Sequence, residues 1–307
     1  MKKLILIFAA VSAALAASAQ TDRHEQRYDL LVSQFGHAGV GVETVLNNWE
    51  KEDSTNVKML LGRFYYWFEK SRTSQVEPKP TRKYLGMEPL LSLKDSLGND
   101  AHYYQVNDFD DELYVLAIKT LDRAIVHHPD RLDFRCVKAN AYIAYEKDSP
   151  DMALAYLMDL ADANVRRAGR QWVYELEKVD DAFFADAMQE YCYSFYSIGS
   201  PASMKAFRAL SEKMLALYPD NVEFMNNIGS YHMIAEKDYK AALKVYSKVL
   251  KKKPHDYIAI KNSSLAARQM GNVKLEKKYL ALLAEHGPEE EQAAAQHRLK
   301  ALETKKK

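Results

Sequence analysis

Pro219, Pro254 and Pro288 stand 35 and 34 residues apart, and each follows a stretch in which apolar residues recur at helical spacing. Proline lacks an N–H and restricts the residue before it, so it ends a helix. A helix end repeated at intervals of about 34 residues marks an array of helix–turn–helix units. The clearest unit is Asn221 to Asp256, NVEFMNNIGSYHMIAEKDYKAALKVYSKVLKKKPHD, two amphipathic helices about a turn near Glu236 to Asp238. Gly229 and Ala242 are small enough to let the two helices approach closely, while Ile228, Tyr246 and Val249 supply the apolar contacts. Counted from Ala242, Tyr246 lies at +4, Val249 at +7 and Pro254 at +12.

That spacing recurs at Ala117, Leu121, Ala124 and Pro129, and again at Leu280, Leu283 and Pro288 after a Gly271-Asn272 turn. A looser copy runs through Ala153, Leu157 and Leu160, with Val165 where the proline would fall. The pair His127-His128 therefore occupies a last helical turn, where a cation or a donor to the final carbonyls is favoured. Neighbouring helical residues point about 100° apart, a poor grip on one metal ion. Glycine and proline are scarce, 11 and 9 in 307 residues, as an all-α chain requires.

Leu61-Gly62-Arg63-Phe64-Tyr65, and Ala139 with Tyr142, place an apolar residue, a small residue and a tyrosine in the order of a known first-helix signature. On these residues and the repeated proline the chain resembles the tetratricopeptide repeat (TPR) family over most of its length. His232, beside Tyr231, holds the tyrosine position in the unit at Asn221. Glu276 takes the small second-helix position of the last unit, and before residue 55 the pattern is only helical. The resemblance implies an all-α fold, an α-solenoid of about five to six TPR-like hairpins, with a degenerate first pair near Arg27 to Lys51. A polar helix at about Glu289 to Glu303 would cap the C-terminal end.

Two stretches break the period. The first, at about 72–108, lies between a first helix near Asn56 to Lys70 and a second at Asp111 to His127. Within it Leu91-Ser92-Leu93-Lys94 and His102-Tyr103-Tyr104-Gln105-Val106 flank the turn Asp95 to Asp100, which reads as a small β-hairpin. The second, at about 166–180, carries Trp172 and three arginines. Long insertions in compact proteins usually serve function, so Tyr103, Tyr104 and Trp172 are candidate contact residues.

The chain opens with Lys2-Lys3, an apolar run from Leu4 to about Leu15, and Ala17-Ser18-Ala19, the pattern of a signal peptide spanning 1–19. An exported protein, periplasmic or extracellular, is expected, with an array over 20–303 and a basic tail at 304–307. No later run is apolar for the length of a bilayer, so no integral membrane segment is expected. Without Lys2 and Lys3, 41 of the 43 basic residues face 42 acidic ones, which gives no electrostatic reason to expect nucleic acid. The two cysteines, Cys136 and Cys192, exclude a disulfide scaffold; each reads as a buried small hydrophobe, and one bridge between them is left open.

Asn107 to Glu112, NDFDDE, lacks the glycine and terminal glutamate of a calcium loop and reads as an acidic helix start. The sequence has no HExxH, phosphate loop, GxSxG or CxxC. No cofactor, metal site or catalytic residue is expected. The resemblance instead implies a protein or peptide partner held on a concave face by first-helix residues. Carried over position by position, these are Arg63, Tyr66, Asn140, Asn226, Ser230, Met233, Lys261 and Arg268. The family's carboxylate clamp finds its residue types in Asn226, Lys261 and Arg268, but not its register. The expectation is a non-enzymatic interaction scaffold. A second reading places a small-molecule or glycan pocket in the two insertions, favoured if Tyr103, Tyr104 and Trp172 are exposed. A third makes the chain a structural subunit of an envelope assembly.

Overall fold

The computed structural model describes residues 23–304. The expected signal peptide and the Lys305–Lys307 tail lie outside the described residues. The chain divides into two compact units. The first runs to Tyr145 and includes Arg170–Val179; the second comprises Glu146–Gly169 and the chain from Asp180 onward.

In the first unit, helix α1 (residues 23–35) and α2 (Val42–Glu52) form the degenerate pair. Helices α3 (Val57–Ser71) and α4 (Asp111–His127) form the next, followed by α5 (Leu132–Glu146), whose last residue belongs to the second unit. Leu46, Trp49, Met59, Leu60, Phe64, Ala117, Leu121 and Phe134 make the core. Gly62 is required where α3 meets Tyr28: a Cβ there would sit 2.8 Å from the ring. Asn56 and Asp110 accept N–H bonds from the first turns of α3 and α4, so Asp110 in the acidic run is a helix cap. At the far end of α4, His128 Nε2 lies 2.6 Å from Thr55 O, the structural role expected for a helix-ending histidine.

The first insertion grows directly from the α3–α4 hairpin. Strand β1 (Arg72–Lys79) follows α3 without a gap and pairs antiparallel with β3 (Asp100–Phe109), from Arg72 opposite Phe109 to Lys79 opposite His102. Asp110 N–H donates to Ser71 O at 2.8 Å, closing the junction. Strand β2 (Leu91–Lys94) pairs with the other edge of β3, giving a three-stranded sheet of order β1-β3-β2. The expected hairpin is therefore present, but within a larger sheet. Its partner β1, RTSQVEPK, is polar and holds a proline; two antiparallel helices deliver its backbone to β3 at strand spacing. The second insertion is a hairpin too, β4 (Trp172–Tyr174) with β5 (Glu177–Val179), tied to the first unit by Val173 N–H to Asp130 O at 2.9 Å.

The second unit holds α6 (Asp151–Arg166), α7 (Asp181–Ile198), α8 (Pro201–Leu217), α9 (Val222–Ile234), α10 (Tyr239–Lys252), α11 (Tyr257–Gln269), α12 (Val273–His286) and α13 (Glu289–Thr304). Asp180, Ser200, Asn221, Asp238, Asp256 and Asn272 each accept first-turn N–H bonds from the helix they precede. Such caps contribute about 1 kcal/mol apiece and fix the starts of α7 to α12. Gly229 of α9 lies against Tyr246 of α10, the close approach expected, and Ala242, Tyr246 and Val249 are fully buried. Helix α13 covers the end of the array: Ala295 and Leu302 pack on Ile260, Leu280 and Leu283. Glu276, which breaks the small-residue rule, is 3% exposed and accepts from Arg298 Nε of α13 at 2.8 Å. The large residue at that position thus holds the cap.

No disulfide joins Cys136 and Cys192. Cys192 is buried beside Ser211 Oγ at 3.4 Å, and burial pushes its thiol up to about 12.

Candidate functional site

The eight first-helix positions expected to meet a partner divide by accessibility. Arg63, Tyr66 and Asn226 are buried and bonded within the fold, which corrects their expected exposure. Arg63 Nη2 donates to Asn47 Oδ1 at 2.7 Å and to Glu50 Oε2 at 3.0 Å, because α2 carries an amide and a carboxylate within its reach. Tyr66 O–H donates to Glu43 Oε2 at 2.7 Å. Asn226 Nδ2 donates to Asp256 Oδ1 at 2.9 Å, and the same oxygen caps α11, so this pair joins one hairpin to the next. Ser230 lies 3.2 Å from the Tyr246 hydroxyl, which also receives Asn262 Nδ2 at 3.1 Å. Lys261 pairs with Glu291 of α13 and reaches the Tyr257 hydroxyl. Met233 is half-buried; Asn140 and Arg268 are exposed.

The insertion residues divide as well. Tyr104 and Trp172 are buried, contrary to the exposure a ligand pocket in the insertions would need. Tyr104 O–H donates to Thr81 O at 2.9 Å and its ring lies 5.4 Å from that of Tyr84. The Arg135 guanidinium sits 5.2 Å above the Trp172 ring. Trp172 thus attaches its insertion to α5, whereas Tyr104 packs within the first insertion.

Tyr103, half-exposed, lies at the centre of a different feature. Side chains alternate faces along a strand, and directly opposed residues share a face. The register sets Pro78, Tyr103 and Leu91 in one row across the three strands. Val76 opposite Gln105, and Leu93 opposite Ala101, fall on the same face. Tyr104 and Val106 fill the other face. The row is open: Val76 is 58% exposed, Leu91 51% and Leu93 49%, with Pro78 exposed beside them. Strand β2 is also an edge of the sheet, adjoining open apolar Leu90 and Leu97.

A second feature lies among the helices of the first unit. Asn47 and Glu50 of α2, Arg63 and Trp67 of α3, and Leu116, Lys119, Thr120 and Arg123 of α4 line a cleft of about 450 Å³. Arg63, Lys119 and Arg123 bring three positive charges to it, Glu50 one negative. Glu50 stands between the arginines, 3.0 Å from Arg63 Nη2 and 2.5 Å from Arg123 Nη2. Arg123 Nη2 is thus ion-paired, while its Nε has no hydrogen-bond partner. Sequence reasoning singled out Arg63 alone here. Its missed neighbours Leu116, Lys119, Thr120 and Arg123 lie at the spacing of one helix face, and Lys119 and Arg123 put two like charges on that face without an acid.

No known family profile matches the sequence, and no curated protein matches it. Solved structures show similarity to it at low identity. The C-terminal part of a TPR repeat-containing protein from Cytophaga hutchinsonii is 15% identical, with 85% of this chain and 78% of that one covered and a TM-score of 0.43. A tetratricopeptide repeat protein from Parabacteroides merdae is 9% identical, covering 92% and 87%, with a TM-score of 0.40. YrrB, described as a TPR protein with an unusual peptide-binding site, is 13% identical, covering 62% and 85%, with a TM-score of 0.38. Similarity of this degree assigns no partner. The proline-closed hairpins, the Gly229–Tyr246 approach and the capping helix, all features of this structure itself, make the fold an all-α array of TPR-like hairpins carrying a small β-sheet insertion.

Proposed function

We propose that this chain is an exported, non-enzymatic interaction scaffold that holds a protein partner, and that the sheet insertion is its principal contact. The observation that carries the reading is the open row of Val76, Pro78, Tyr103, Leu91 and Leu93. Contiguous apolar surface facing water is unfavourable by roughly 25 cal/mol per Å², and soluble proteins keep such patches for binding. The alternation of Leu91 and Leu93 with Ser92 and Lys94, on an edge strand, fits an extended partner segment with its own apolar–polar alternation. Such a segment extends the sheet through main-chain hydrogen bonds and draws specificity from side chains on the apolar face. Exposed Asn140 and Arg268 and half-buried Met233 remain secondary contact positions on first helices. Export rests on the reading of residues 1–19.

The test places a photo-crosslinking amino acid at Tyr103 of the full chain in its native cell. One protein is expected to be captured, and its purified form should bind the purified parent chain. Binding should be lost in the double variant Leu91→Asp, Leu93→Asp, whose exposed positions leave the helical core intact. A captured protein that binds this variant and the parent equally refutes the sheet as the contact.

A further inference from the structure

We infer that the cleft between α2, α3 and α4 is a binding site for an oxyanion, a carboxylate or a phosphate, carried on a flat apolar body. The inference goes beyond the scaffold reading and does not depend on it. Arg63 is 5% exposed, and its Nε has no partner. A buried guanidinium proton without an acceptor is costly, and native folds rarely leave one. Arg123 adds an unmatched Nε on the opposite wall. Lys119 is exposed at the rim and forms no ion pair among the described residues. Glu50 offsets only one of the three positive charges, so the cleft is electropositive at neutral pH.

The geometry selects the chemistry. Guanidinium groups present paired donors that match the two oxygens of a carboxylate or phosphate, whereas a lysine acts as a point charge. Two arginines with unused donors, on facing helices with an exposed lysine at the rim, therefore suit an oxyanion better than a halide. Trp67 and Leu116 line the same cleft and give the remainder of the ligand a planar aromatic and an aliphatic wall. A volume of about 450 Å³ accommodates more than a bare ion and falls in the range of small-molecule sites.

The experiment titrates the full processed chain, by calorimetry at low salt, with benzoate, phenyl phosphate and uncharged benzamide. Saturable one-site binding is expected for at least one anion and none for benzamide; the anion that binds more tightly tells carboxylate from phosphate. Because hydrogen bonds to charged groups are strong, Lys119→Met and Arg123→Gln are each expected to weaken that binding at least about tenfold. Lys119→Met should unfold thermally as the parent does, that side chain being exposed, and Arg123→Gln, which leaves Glu50 its bond to Arg63, should remain folded at the assay temperature. Arg63→Lys, which keeps the charge and removes the fork, is expected to weaken it too. Equal affinity in parent and the Lys119 and Arg123 variants, equal binding of benzamide, or no saturation by either anion would overturn the assignment.

Discussion

Replacing Gly229 with alanine tests the close helix approach on which the repeat depends. A Cβ at residue 229 would lie 2.5, 2.8 and 2.9 Å from Cε1, Cζ and Cδ1 of Tyr246. Carbon atoms in contact sit about 3.5–4.0 Å apart, so the ring must move by roughly an ångström. It is fully buried, and Ser230 and Asn262 hold its hydroxyl. Overpacking of this kind costs about 1–3 kcal/mol, and each strained hydrogen bond adds about 1. Alanine's helix propensity offsets about 1 kcal/mol. The net expectation is a loss of about 2–4 kcal/mol, which at about 2–4 °C per kcal/mol lowers the unfolding midpoint by roughly 4–16 °C. Calorimetric unfolding of Gly229→Ala measures it. In the double variant with Tyr246→Leu, which empties the space, the Gly229→Ala loss should largely vanish. A Gly229→Ala variant as stable as the parent would mean that α9 and α10 do not approach as described.

Glu276→Ala removes the acceptor of Arg298 and should cost about 2 kcal/mol, loosening α13 first; faster amide exchange confined to residues 289–304 is the readout. Burial raises Cys192 from 9.0 to about 12 and Tyr246 from 10.0 to about 12. The folded state holds both protons more tightly than the unfolded chain, so their stability contribution is complete below about pH 9 and declines as pH climbs toward 12. Denaturant midpoints should fall through that window, and Cys192 should resist alkylation at pH 8 until the chain unfolds. Cleavage after Ala19 predicts a mature N-terminus at Gln20, readable from the intact mass of the protein purified from its native cell; a mass that retains Met1 to Ala19 would refute export by this route.

The helical hairpins were legible because their determinants are local. A small residue, two apolar residues and a proline at fixed intervals specify a second helix whatever surrounds it, and Ala242, Tyr246, Val249 and Pro254 stand where that pattern puts them. The hairpin at Leu91–Lys94 was legible for the same reason, with alternation on both sides of a turn. Strand β1 was not, since its pairing comes from the direction in which α3 and α4 deliver the chain. Nor were the roles of Arg63, Tyr66 and Asn226. A position rule taken from a family cannot register that Glu50, Glu43 and Asp256 lie within reach and turn those side chains inward. The cleft escaped notice because its three stripes are ordinary helix faces until tertiary packing brings them together.

The central claim is that a protein partner docks on the open sheet face. Hydrogen–deuterium exchange of the chain, with and without the protein captured at Tyr103, tests it most directly. Strong protection of Leu91–Lys94 and the neighbouring turn is expected on binding, with the core of α9–α12 unchanged. Protection confined to first helices around Asn140, Met233 and Arg268, with the β2 edge still exchanging freely, would contradict it.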